Sequence, residues 1–136
     1  MAPLKAAARP LLASVFLASG WQTLRHPELL APAAAPVALA FARRVPWLPA
    51  DAERLVRMNG AVDVGAGALL ATGRVPRLAA LALAASLVPT TIAGHPFWSE
   101  DDPGKRIQQR IQFLKNLSIL GGLLMTVAAG REERHR

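Results

Sequence analysis

The chain has no cysteine and no tyrosine, and aromatic residues make up only 5% of it. Without cysteine there is no disulfide, no thiol redox chemistry, no covalent haem attachment and no Cys-ligated metal or iron–sulfur centre. An electron-transfer role therefore needs a cofactor or substrate from outside the chain. Charge is scarce as well. Asp, Glu, Lys and Arg account for 18% of the 136 residues, where soluble domains carry about 25%. No P-loop, GxGxxG, His-rich tract or internal repeat is present, so the common phosphate cradles and a metal-ligand cluster are missing too.

What is there is alanine and leucine. Hydrophobic residues make up 52% and mean hydropathy is +0.27. Ala and Leu with little β-branching favour helix over strand, and the length suits one domain, 1–136. Four stretches are nearly free of charge: Pro10 to Leu24, Met58 to Gly73 (interrupted by Asp63), Leu78 to Gly94, and Asn116 to Gly130. Each is shorter than the ~20 residues of a full span, but flanking Lys and Arg can snorkel and extend it. The last can begin near Ile107, with IQQRIQFLK as an amphipathic lead-in. The third and fourth lack the polar face that a surface helix in water needs. The expectation is an all-α integral membrane bundle of four short transmembrane helices, antiparallel and up-and-down, at about 8–25, 55–73, 77–94 and 107–130. The bilayer is then the chief partner.

The net charge of +7 and the pI near 11.5 raise nucleic acid as a partner. The 16 Lys and Arg are scattered between apolar runs, however, and not gathered on one face. That placement is the one membrane helices show, and no nucleic-acid partner is expected. Lys5 and Arg9 before LLASVFLASG also fit a signal peptide. Cleavage there would leave three helices and no hydrophilic secreted domain, so the first helix is expected to stay. Basic density in the short segments places both termini in the cytoplasm.

Between the first two spans, Pro27, Pro32, Pro36, Pro46 and Pro49 argue against one continuous helix. A Pro/Ala-rich interfacial segment is expected there, with a short helix over 37–45. Asp51 is placed as an N-cap. Pro89 should distort the third span, with Thr90 and Thr91 serving the freed backbone groups.

In such a bundle four helix ends meet, and the informative polar residues sit at those ends: Trp21, Gln22, Arg25, Arg57, Asn59, Asp63, His95, Trp98, Gln109, Gln112, Lys115 and Asn116. The opposite end offers Arg74, Arg77 and a basic tail from Arg131. Asp63 lies about 9 Å along its helix from Arg57, at a depth where a lone carboxylate is costly. Gly60 and Gly67 would admit a neighbouring helix close enough to bury it. It then acts either as a bundle-holding hydrogen bonder or as a site residue, with Lys115 as a counter-ion or merely a snorkelling anchor. Ser118, Gly122 and Thr126 read as a packing face. The expectation is one polar pocket walled by Asn59, Asp63, His95, Lys115 and Asn116, with Trp98 beside it.

The runs Gly94-His95-Pro96-Phe97-Trp98, Asp102-Pro103, Gln112-Phe113-Leu114-Lys115-Asn116 and Leu120-Gly121-Gly122-Leu123-Leu124 resemble the DoxX family signature. Arg57-Met58-Asn59-Gly60-Ala61, with Gly65 and Pro76-Arg77-Leu78, fits the same pattern, so the resemblance runs from Pro10 to Ala129. It implies a four-helix protein of the bacterial inner membrane, tied to membrane oxidoreductase systems with quinone or sulfur and thiol redox chemistry. His95, Trp98, Lys115 and Asn116 carry over as motif positions without assigned chemistry. Two readings follow. One is a subunit or partner of a membrane-associated oxidoreductase, with a quinone as the possible cofactor. The other is a non-enzymatic scaffold that recruits a soluble enzyme. No nucleophile–base pair marks an enzyme acting alone.

Overall fold

The computed structural model describes residues 2–132. Among them are five α-helices: α1 (Ala2–Arg25), α2 (Pro27–Arg44), α3 (Ala52–Ala71), α4 (Pro76–Gly94) and α5 (Pro103–Glu132), with a 3-10 turn at Phe97–Ser99. Of the basic tail, the residues beyond Glu132 lie outside the described residues.

Contacts across the helices fix their directions. Gly20 faces Gly60 and Asp63, Leu17 faces Gly67, and Arg9 reaches Gly73. Position rises along α1 as it falls along α3, so the two are antiparallel. Asn59 with Thr90 and Asp63 with Ser86 make α3 and α4 antiparallel. Asn116 with Thr91 and Gln109 with His95 do the same for α4 and α5. The start of α1 and the end of α5 therefore share one end of the bundle.

α2 corrects the expectation of a broken segment. It runs unbroken through Pro32 and Pro36, starting directly after His26. Three features permit this. Pro27 occupies the first turn, where a missing N–H costs nothing. Alanines make up much of the rest and favour helix. Pro32 and Pro36 are four apart on one exposed face, so the carbonyls they leave unbonded remain accessible to solvent. α2 begins where α1 ends, hands over to α3 at that same end, and packs on α3 and α4.

The close seam is α1 against α3. A Cβ on Gly20 would sit 2.8 Å from the Asp63 Cβ and 2.9 Å from the Gly60 carbonyl oxygen. Asp51 caps α3, its side chain accepting from the Glu53 and Arg54 N–H groups. The apolar core lies toward the other end, where Ala13 and Phe16 meet Leu70, Ala79, Leu83 and Leu123. Around Pro89 the threonines do serve the backbone, but Thr90 donates to the Ser86 carbonyl and Thr91 to that of Leu87. The carbonyl that Pro89 frees is that of Ala85.

Pro76–Ser99 and Pro103–Ala129 are long and apolar enough to cross a bilayer.

Candidate functional site

The polar residues of α3 and α4 interlock because both helices place them one turn apart. Asn59 and Asp63 face Ser86 and Thr90, each pair at i, i+4 spacing. Ser86 Oγ lies 2.6 Å from Asp63 Oδ1 and 2.8 Å from Asn59 Oδ1. Asn59 Nδ2 donates to Asp63 Oδ2 and to Thr90 Oγ1, both at 3.4 Å. Asp63 is buried between Gly20 on one side and Ser86 on the other. The close approach of α1 at Gly20 and Gly60 is what closes the site, since any larger residue would hold the helices apart.

Over this cluster lies a pocket of about 420 Å³, within the range of small-molecule sites. Leu30, Val37 and Phe41 of α2 roof it, Leu55 and Val56 of α3 and Pro89 of α4 wall it, and Asn59, Asp63 and Thr90 line its polar side with Ser19 and Thr23. An apolar chamber with a few convergent polar groups can hold the ring of an amphiphile and orient it by hydrogen bonds.

The remaining expected site residues lie elsewhere. His95 Nδ1 is 2.8 Å from Gln109 Oε1, and Asn116 donates to Thr91 Oγ1 at 3.0 Å. Both pairs join α4 to α5 on the side of α4 away from Asp63. Trp98 packs edge-on with Phe97 and Phe113, at centroid distances of 5.3 and 5.9 Å. Lys115 is exposed and donates to Gln112 on its own helix, so it is no counter-ion to Asp63. A second, more polar groove, lined by His95, Glu100, Lys105 and Gln109 among others, lies on this side. The single polar pocket expected from the sequence is thus two regions separated by α4.

Sequence reasoning missed Ser86 and the roof. Ser86 did carry a signal, as a hydroxyl in an otherwise apolar run, LALAASLV. On the expected packing face of α5, Gly122 meets Leu12 of α1, while Ser118 is exposed.

A family model described as DoxX matches residues 4–96. No curated protein and no solved structure matches the chain. The matched segment starts before Pro10 and ends at Pro96. It contains all of α1 but its first two residues, the whole of α2 to α4 and the Asn59–Asp63–Ser86–Thr90 cluster, whereas the runs from Phe97 to Leu124 fall beyond it.

Proposed function

The chain belongs to the DoxX family, a family of membrane proteins linked to redox-related systems, and from that premise we propose that it is a multi-pass subunit of a membrane-associated oxidoreductase that binds a quinone-type ring beneath α2. In this reading α1, α3, α4 and α5 cross the bacterial inner membrane as one domain, both termini lie in the cytoplasm, and α2 rests at the opposite interface. The pocket supports the reading most directly. Its walls are apolar, its polar side converges from α1, α3 and α4, and it sits at one end of the bundle, where a lipid-soluble ring can enter. A bound quinone would supply two-electron chemistry that this cysteine-free chain lacks. The chain's own part is to exclude water with α2 and to orient the ring through Asn59, Asp63 and Thr90.

The test is purification of the tagged chain from native membranes in mild detergent, with proteins and quinones identified together. Co-purification of an oxidoreductase with quinone supports the reading, and loss of the quinone in Asn59→Leu places it in the pocket. A second reading, a scaffold for another protein, is favoured by the exposed Ile107, Ile111, Leu114 and Leu117 on α5. A protein partner retained without quinone, unaffected by Asn59→Leu, would point there. A reporter fused after Arg136 checks the orientation: activity of a periplasm-only reporter reverses it.

A further inference from the structure

The polar side of the pocket is short of hydrogens. Thr90 gives its hydroxyl hydrogen to the Ser86 carbonyl, Thr23 gives its own to Ser19, and Ser19 gives its own to Val15. All three hydroxyls therefore turn lone pairs, not hydrogens, toward the chamber. Asp63 adds a carboxyl group, and Ser86 has one hydrogen for two oxygen neighbours, Asp63 Oδ1 and Asn59 Oδ1. Among the polar side chains lining the pocket, the amide of Asn59 is the one sure donor, and its two bonds are long, 3.4 Å each. Turning the Asn59 amide over does not help. It would satisfy Ser86 but aim an oxygen at Asp63 and Thr90.

Building on the quinone reading, we infer that the pocket selects ring amphiphiles that donate hydrogen bonds, and so holds the quinol form in preference to the quinone. A quinone ring carries carbonyl oxygens, which are acceptors facing acceptors here. A quinol carries hydroxyl groups on the same skeleton, and these supply the hydrogen that the row Asp63–Ser86–Asn59 is short of, with further lone pairs open on the threonine oxygens. Buried acceptors left unserved are costly, so discrimination arises as much from rejecting the wrong form as from holding the right one. One hydroxyl donating to an acidic acceptor gives about a tenfold preference. For a two-electron couple, tenfold tighter binding of the reduced form raises the potential by about 30 mV. That shift draws electrons onto the ring from a donor protein.

The experiment is calorimetric titration of the full chain in detergent, without oxygen, with empty micelles subtracted. Decylubiquinol is compared with decylubiquinone, and nonylphenol with its methyl ether as a redox-inert pair. Decylubiquinol and nonylphenol should bind about tenfold tighter than their partners. In Asp63→Asn, which replaces an acceptor oxygen with an N–H group, the gap should shrink several-fold. Equal or reversed preference within both pairs on the unaltered chain overturns the inference and leaves the quinone site standing. Binding of no probe at all overturns the site and the inference together. If Asp63→Asn does not fold, the methyl-ether pair decides alone.

Discussion

α3 and α5 both pack on α4, but in different ways. α3 meets α4 through a buried side-chain network and is clamped from behind by α1 at paired glycines. α5 meets it through the apolar core around Leu123 and two separate polar pairs, Asn116 with Thr91 and His95 with Gln109, and leaves a broad apolar face uncovered. The most apolar stretches show the contrast: 39% of that within Pro76–Ser99 is buried inside the molecule, against 11% of that within Pro103–Ala129. α1 to α4 thus carry the candidate site, and α5 joins the shared core through Leu123 while most of its surface faces outward. Small residues and shared polar groups, more than apolar area, hold helices together once the surroundings are themselves apolar.

The comparison breaks first at the glycine seam. Gly20→Val should cost about 3 kcal/mol, because its side chain would occupy space held by Asp63 and the Gly60 backbone. Gly121 has nothing within 4 Å, so Gly121→Val on α5 should leave the thermal midpoint in detergent nearly unchanged. Equal losses at the two positions would mean that α5 is clamped as α3 is. Next comes Ser86→Ala, which removes the one hydroxyl hydrogen that Asp63 Oδ1 and Asn59 Oδ1 share and should cost about 2 kcal/mol by denaturant titration. Asn116→Ala removes one bond at the α4–α5 seam and should cost about 1 kcal/mol in the same assay. The smallest effect concerns Lys115. Asp63→Asn and Lys115→Met should add to within about 0.5 kcal/mol. A larger coupling would contradict the exposed Lys115–Gln112 arrangement.

How far these features could be read beforehand varied with the physics. Asp63 in an uncharged run, with glycines at 60 and 67, already implied a close neighbour, and the structure supplies Gly20 from α1 and Leu17 over Gly67. Asp51 was legible as a cap because capping is local. The division of the polar residues was not legible. Ser86 and Thr91 are about 140° apart around α4, at 100° per residue, and knowing which residues lie near one helix end does not say which face each takes. α2 was misjudged because the proline rule treats each proline as an interruption, whereas Pro32 and Pro36 align on one exposed face of an alanine helix. Its role as a roof depends on contacts with α3 and α4 that no local pattern encodes.

If α1 and α3 cross the bilayer as proposed, the Asp63–Ser86 contact also orders events in biosynthesis. The chain emerges from its N-terminus, so α1 and α3 reach the membrane before the helix that carries Ser86 exists. Until α4 arrives, Asp63 has Asn59 as its side-chain neighbour and no hydroxyl donor, and an acidic group in that condition resists burial in lipid. α4, far more apolar than α3, brings the missing donor with it. The α1–α3 hairpin should therefore wait near the headgroups and settle only when α4 docks. A thiol introduced by Gly65→Cys in α3 tests this in truncated chains released into membrane vesicles: it should react with a water-soluble maleimide when the chain ends after Gly73, and be shielded when it ends after Gly94. Equal shielding at both lengths would show that α1 alone is enough to bury the acid.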